Sequence, residues 1–284
     1  MISFSFILVT FYLNICLAAN DLIKELLFKA LRTRGVCNHL YIDMGTNVGV
    51  QFRKLYEPNY YLNAPVLPIF QSYFGADRKK VCAVGFEPNL HHTAHLQNMQ
   101  EAYRAAGFPL FIFTETALFS KVVNLTLFDD ISRGGRRHHL WGASLYNAQN
   151  SSKTFTVATI DTGHFLHHMF GSWERDTNSK VVAKLDIEGA EYEVMPSIIG
   201  HGSLCHIDLM FTEWHKVPTN SDYPFPNSTV LSEVLSLVSR HTSQCRFKST
   251  TLDDESYSQI KLIDHPYPTS VVSKGQDIAS LLSK

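Results

Sequence analysis

Four short runs of apolar residues constrain this chain most: His39 to Met44, Val81 to Phe86, Val181 to Ile187 and Ile207 to Thr212. A strand with one wet face alternates apolar and polar residues. A short run without that alternation is what burial on both faces of a parallel sheet demands. Segments with helical spacing separate the runs, among them Leu90 to Ala106 and Ala190 to Ile199, and an amphipathic stretch from Leu22 to Leu31 stops at Arg34-Gly35. The alternation predicts an α/β fold, a doubly wound, Rossmann-like and mostly parallel sheet. Leu110 to Leu118 and Val122 to Phe128 read as further strands. Arg246 to Thr251 and Ser258 to Ile263, joined by Asp253-Asp254-Glu255, read as a C-terminal antiparallel hairpin. The length of 284 residues suits one domain over residues 19–284, with insertions near 53–80 and 129–154. Those two stretches lack strong periodicity and are long for connections, so they read as lids or binding loops.

Met1 to Ala19 is mostly apolar and uncharged and ends in small residues, which predicts a secretory signal peptide over residues 1–18, cleaved after Ala18. An uncleaved anchor, the one route to a membrane, and a buried helix are the alternatives. Cleavage leaves four cysteines, Cys37, Cys82, Cys205 and Cys245, an even number that permits two disulfides in an oxidising lumen; none shows CxxC spacing. The sequons at Asn124, Asn150 and Asn227 fit a glycoprotein of the secretory pathway. Against 25 Lys and Arg stand 26 Asp and Glu, so no global field attracts nucleic acid, which is not expected as a partner. The 14 histidines are unusual and would charge in a mildly acidic compartment.

The chemistry gathers at strand ends. The first run ends Asp43-Met44-Gly45-Thr46-Asn47-Val48-Gly49, an acid followed by a small-residue turn that should open a helix. Gly45 and Gly49 permit positive φ and close backbone approach to a ligand. The spacing is not GxGxxG, which disfavours a dinucleotide and with it a dehydrogenase. The second run ends Phe86-Glu87-Pro88-Asn89, placing an acid where a ribose diol is gripped, or where a helix is merely capped. The third ends in Lys184-Leu185-Asp186-Ile187-Glu188-Gly189-Ala190-Glu191, and the fourth in Glu213-Trp214-His215.

These four motifs, in this order over residues 39 to 215, resemble the FkbM family of S-adenosylmethionine-dependent methyltransferases. Its D-x-G-x-N-x-G loop is similar to Asp43 through Gly49, its F-E-P strand end to Phe86-Glu87-Pro88, its K-x-D-x-E-G-x-E segment to Lys184 through Glu191, and its E-x-H to Glu213-Trp214-His215. The resemblance implies a class I methyltransferase sheet that binds S-adenosyl-L-methionine through Asp43, Gly45, Thr46, Asn47, Gly49, Glu87, Pro88, Asn89 and Asp186. Glu87 takes the ribose hydroxyls, and Glu115 or Thr116 the adenine. In such a fold the first two strands are neighbours, so a Cys37 to Cys82 bridge is expected, and by similar placement one from Cys205 to Cys245.

The implied reaction is O-methylation of a hydroxyl on a sugar, a glycan or a small natural product. A hydroxyl needs a base to take its proton, and Asp186, Glu188, Glu213 and His215 form the catalytic candidates, with His215 as base and Asp186 as orienting group. The bland readings are a core imidazole for His215 and a helix cap for Asp186. The same four residues are also a candidate set for a hard divalent cation, which is not favoured. The basic run Arg133 to His139 would suit an anionic substrate or simply be solvated, and Trp141, Tyr146 and Trp173 would stack on a substrate or pack. The rival to an enzyme is a catalytically inactive secreted binding protein that keeps the fold.

Overall fold

The computed structural model describes residues 20–129, 143–145, 153–215, 229, 232–233, 235–236 and 245–252. The described residues form ten strands: β1 (His39–Met44), β2 (Val81–Glu87), β3 (Leu110–Thr114), β4 (Thr116–Phe119), β5 (Asn124–Asp129), β6 (Ala143–Ser144), β7 (Thr154–Asp161), β8 (Val181–Leu185), β9 (Leu209–Thr212) and β10 (Ser249–Thr250). The helices are α1 (20–32), α2 (Val50–Tyr56), α3 (Leu67–Phe74), α4 (Thr93–Ala105), α5 (Thr162–Gly171) and α6 (Glu191–Gly200).

Six strands form one sheet in the order β10-β9-β8-β1-β2-β3, and every neighbouring pair is parallel. Counted along the chain within this sheet, the order is the doubly wound 3-2-1-4-5-6, whose direction reverses between β1 and β8. The expected Rossmann-like α/β architecture is therefore observed. Strand pleating explains the continuous apolar runs. Leu40, Ile42 and Met44 of β1 enter a core with α1, α5 and α6, while Tyr41 enters one with α2, α3 and α4. Both faces of each inner strand are covered, so polar alternation has no use there.

The region after β3 differs from its expectation. One strand over Leu110 to Leu118 is broken at Glu115, whose φ of 54° turns the chain out of the main sheet. Beyond that turn lies a second sheet, β4-β7-β5-β6, with β4 and β7 parallel and β5 antiparallel to both β7 and β6. The stretch 53–80 is not a loop but helices α2 and α3 with short 3-10 turns, packed on the sheet. Its periodicity is blurred because α2 buries Arg53 and Lys54. Arg53 donates to Glu57 at 3.0 Å, and the Tyr103 hydroxyl donates to the same carboxylate. Of the C-terminal hairpin, the first arm supplies β10, which pairs in parallel with β9, and the second arm lies outside the described residues.

Disulfides join Cys37 to Cys82 and Cys205 to Cys245, with Cα separations of 5.1 and 4.6 Å. Both expected pairings are thus present, and they are consistent with an oxidising environment. Among the described residues no helix is long and apolar enough to cross a membrane; residues 1–19 lie outside them.

Candidate functional site

In an open α/β sheet, ligands enter where the winding reverses, outside the carboxyl ends of the strands. At that place a cleft of about 640 Å³, its open mouth included, lies between the main sheet and the small one. Its polar side consists of Gly45, Asn47, Glu87, Pro88, Asp186 and Glu188, the ends of three strands brought together. The opposite wall is apolar, with Leu118, Leu125, Leu127 and Leu145.

The loop after β1 is shaped by its own backbone bonds. The amides of Gly45 and Thr46 donate to the Phe86 carbonyl at 3.3 and 3.0 Å, and Gly45, Asn47 and Gly49 all take positive φ. A Cβ at Gly45 would run into the Asp186 carbonyl oxygen, and one at Gly49 into the thioether of Met99. Both glycines have the expected conformation, but the approach each permits is to protein, Gly45 to the β8 loop and Gly49 to α4. Thr46 is buried, its hydroxyl donating to the Asp43 carbonyl at 3.2 Å.

Asp43 is fully buried, and neither carboxylate oxygen has a hydrogen-bond partner among the described residues. Burial pushes its pKa up to about 7; Lys184 pulls it back, Asp186 adds to the rise and Lys54 opposes it. Glu87 is held on both oxygens, accepting from the Asn89 amide at 2.8 Å and the Asn47 amide at 2.6 Å. Burial still dominates, and its pKa stands at about 7. Asn89 caps the following turn, its side-chain oxygen accepting from the His91 amide. Of the adenine candidates, Thr116 lines the cleft; Glu115 instead accepts from the Thr93 hydroxyl at 3.0 Å.

The second cluster follows β8 and β9. Lys184 donates to Asp186 at 2.6 Å, and this carboxylate with Asp43 holds the lysine strongly cationic despite its burial. The fully buried Glu191 accepts from the amides of Ile187 and Gly189 and from His215 Nδ1 at 3.0 Å. That bond turns His215 Nε2 towards three carboxylates: Glu188 at 3.6 Å, Glu213 at 3.7 Å and Asp186 at 3.8 Å. Burial lowers the imidazole pKa, but the Glu191 bond and the charges of Glu191, Glu188 and Asp186 outweigh it and raise the value to about 9. Glu188, at φ 53°, moves to about 7 because burial and its acidic neighbours exceed the pull of His215. All four expected catalytic candidates therefore meet, and Asp186, Glu188 and His215 offer ligand atoms within 4.8 Å of one another, room for a cation.

Two participants escaped the sequence assignment. Glu191 orients the imidazole and Lys184 fixes Asp186; both stand in the K-x-D-x-E-G-x-E segment, where their spacing was the available signal. Trp173 is no stacking platform, since it is buried and donates to the Cys37 carbonyl at 2.8 Å. The run Arg133 to His139, with Trp141 and Tyr146, lies outside the described residues. Of the 129–154 insertion, β6 adjoins the cleft: Ala143 lines it and the Ser144 hydroxyl donates to the Glu188 carbonyl at 3.1 Å.

These features define a doubly wound α/β protein with a carboxylate-rich cleft at its switch point. Comparison with protein-family models, curated proteins and solved structures finds no match to this chain.

Proposed function

We propose that this chain is an S-adenosyl-L-methionine-dependent methyltransferase of the secretory pathway, acting on a hydroxyl of a sugar, a glycan or a small natural product. The observation that carries the reading is that Gly45 and Asn47, Glu87 and Pro88, and Asp186 and Glu188, far apart in sequence, line one cleft at the switch point. The residues fit the cofactor. Asp43 does not itself line the cleft; its buried carboxylate has no hydrogen-bond partner among the described residues and feels the Lys184 charge. Glu87 spends one backbone bond on each oxygen and keeps lone pairs for a diol.

When bound, the cofactor supplies an electrophilic methyl on sulfur. The chain's own part would be to hold the acceptor hydroxyl in line and to take its proton. Glu188 would take it: it lines the cleft, and its pKa of about 7 suits a base working near neutral pH. His215 is mostly imidazolium at that pH, so its work is to hold positive charge beside the carboxylates. Asp186, tied to Lys184, orients the acceptor.

A second reading rests on the convergence of Asp186, Glu188 and His215: a hard divalent cation there would acidify the acceptor instead, and a chelator would then abolish turnover. The first test is calorimetry. S-adenosylhomocysteine binds the wild type, and Glu87→Ala weakens binding by about 1–3 kcal/mol, the usual loss for a charge-assisted hydrogen bond. A folded protein that binds neither S-adenosylhomocysteine nor S-adenosylmethionine overturns the methyltransferase reading. Cofactor binding without methyl transfer to any acceptor in extracts assigns the inactive binding role.

A further inference from the structure

We propose that the acceptor is an amphiphile, with a hydroxyl-bearing head that meets Glu188 and an apolar body that lies on the leucine wall of the small sheet; this rests on the methyltransferase reading. The cleft has two unlike sides. Asp186 and Glu188 stand on one, and Leu118, Leu125, Leu127 and Leu145 on the other. Ligand pockets are commonly apolar with a few polar groups that fix orientation, and here the two tasks fall to two different sheets.

The wall follows from the pleat of β5. Asn124 and Thr126 are exposed on one face of the strand, while Leu125 and Leu127 turn to the other. In the antiparallel pairing Leu125 stands opposite Val157 and Leu127 opposite Phe155, so β7 adds its apolar residues to the same face. Among the described residues the small sheet has a core of its own, in which Ala117, Leu127 and Val157 are buried and Leu125, Ala143, Leu145 and Phe155 are covered only in part. Leu125 and Leu145, half-buried and lining the cleft, therefore keep apolar surface that no described residue covers.

The two sides meet at one point. The Ser144 hydroxyl donates to the Glu188 carbonyl at 3.1 Å, and Leu145 is the next residue, so the leucine wall starts beside the residue proposed as the base. A hydroxyl presented to Glu188 is then carried on a body whose neighbouring atoms run along the leucines. Leucine offers no hydrogen bond, and a second sugar hydroxyl pressed against it would give up its water without compensation. A methylene chain gains there instead, by roughly threefold in affinity for each methylene buried. A purely polar oligosaccharide suits the carboxylate side alone.

The test is calorimetry on the folded, disulfide-bonded protein with octyl β-glucoside, kept below its micelle concentration, against methyl β-glucoside. The octyl compound should bind at least roughly tenfold more tightly. Leu125→Ser and Leu145→Ser should each cut that preference by roughly threefold or more, whereas Leu62→Ser, exposed and outside the cleft, leaves it intact. S-adenosylhomocysteine should bind the Leu125 and Leu145 variants as it binds the wild type. Equal affinity of the wild type for the two glucosides overturns the proposal whatever the variants do. So does a preference that survives both leucine substitutions together, or a loss of S-adenosylhomocysteine affinity in them, which would give the wall to the cofactor. The methyltransferase reading fails separately: a wild type that prefers the octyl compound and binds no S-adenosylhomocysteine keeps the amphiphile site and loses the reaction.

Discussion

Glu188 and His215 face one another at 3.6 Å, and each sets the state of the other. Burial and three acidic neighbours raise the Glu188 carboxyl to about 7, and the imidazolium is what keeps it from rising further. A base works only when ionised, so turnover should climb with pH through a midpoint near 7. Removing the cation by His215→Gln leaves the neighbouring carboxylates unopposed, so the midpoint should move to higher pH. Glu188→Gln should depress kcat by roughly 10² to 10⁴ with S-adenosylhomocysteine affinity unchanged. The measurement is kcat against pH, followed by transfer of labelled methyl. His215 acting as the base gives a different outcome: a midpoint near 9 in the wild type, and loss of that limb in the His215 variant.

At the scale of elements, Gly49 shows what the glycine loop is for. It precedes α2 at φ 78° and faces Met99 and Leu96 of α4. Gly49→Ala adds left-handed backbone strain and an overpacked contact, and should lower stability by about 2–4 kcal/mol in urea unfolding. A glycine kept only for ligand approach would instead lose affinity at full stability. The loop itself was legible because an apolar run, an acid and small residues occur in the order that a strand, its carboxyl end and a tight turn require. The elements that were missed have physical reasons. In α2 the charged Arg53 and Lys54 are buried, so polarity misreports the inward face. α5 itself carries a readable helical pattern, with Phe165, Leu166, Met169 and Phe170 buried and His164, His167 and His168 exposed. β7 alternates at Phe155 and Val157, but its buried face runs on into the polar Thr159, whose hydroxyl is satisfied by the Lys121 and Val123 carbonyls, and the break at Glu115 is a backbone turn that no side-chain pattern announces. Within the site, Asp43, Glu87 and Asp186 were legible as strand ends. The role of Glu191 was not, since full burial of a carboxylate depends on the partners that surround it.

Across the whole molecule, the two disulfides and the cleft occupy opposite edges of the main sheet. Cys37 precedes β1 and Cys82 is near the start of β2, while Cys205 lies before β9 and Cys245 before β10. In a parallel sheet these are all amino-terminal ends, and the cleft opens at the carboxyl ends. The bridges close separations of 45 and 40 residues, so they act chiefly by restricting the unfolded chain. Cys37→Ala with Cys82→Ala should therefore lower stability by about 2–5 kcal/mol in guanidinium unfolding, the usual range for a native disulfide. The folded fraction should keep its affinity for S-adenosylhomocysteine within about twofold, because a strand length of sheet separates the lost bridge from Asp43 and Glu87. Calorimetry under conditions where the variant is folded decides the matter. A large loss of affinity there would mean that the bridge sets the register of β1 on β2 on which Asn47 and Glu87 depend for their 2.6 Å bond.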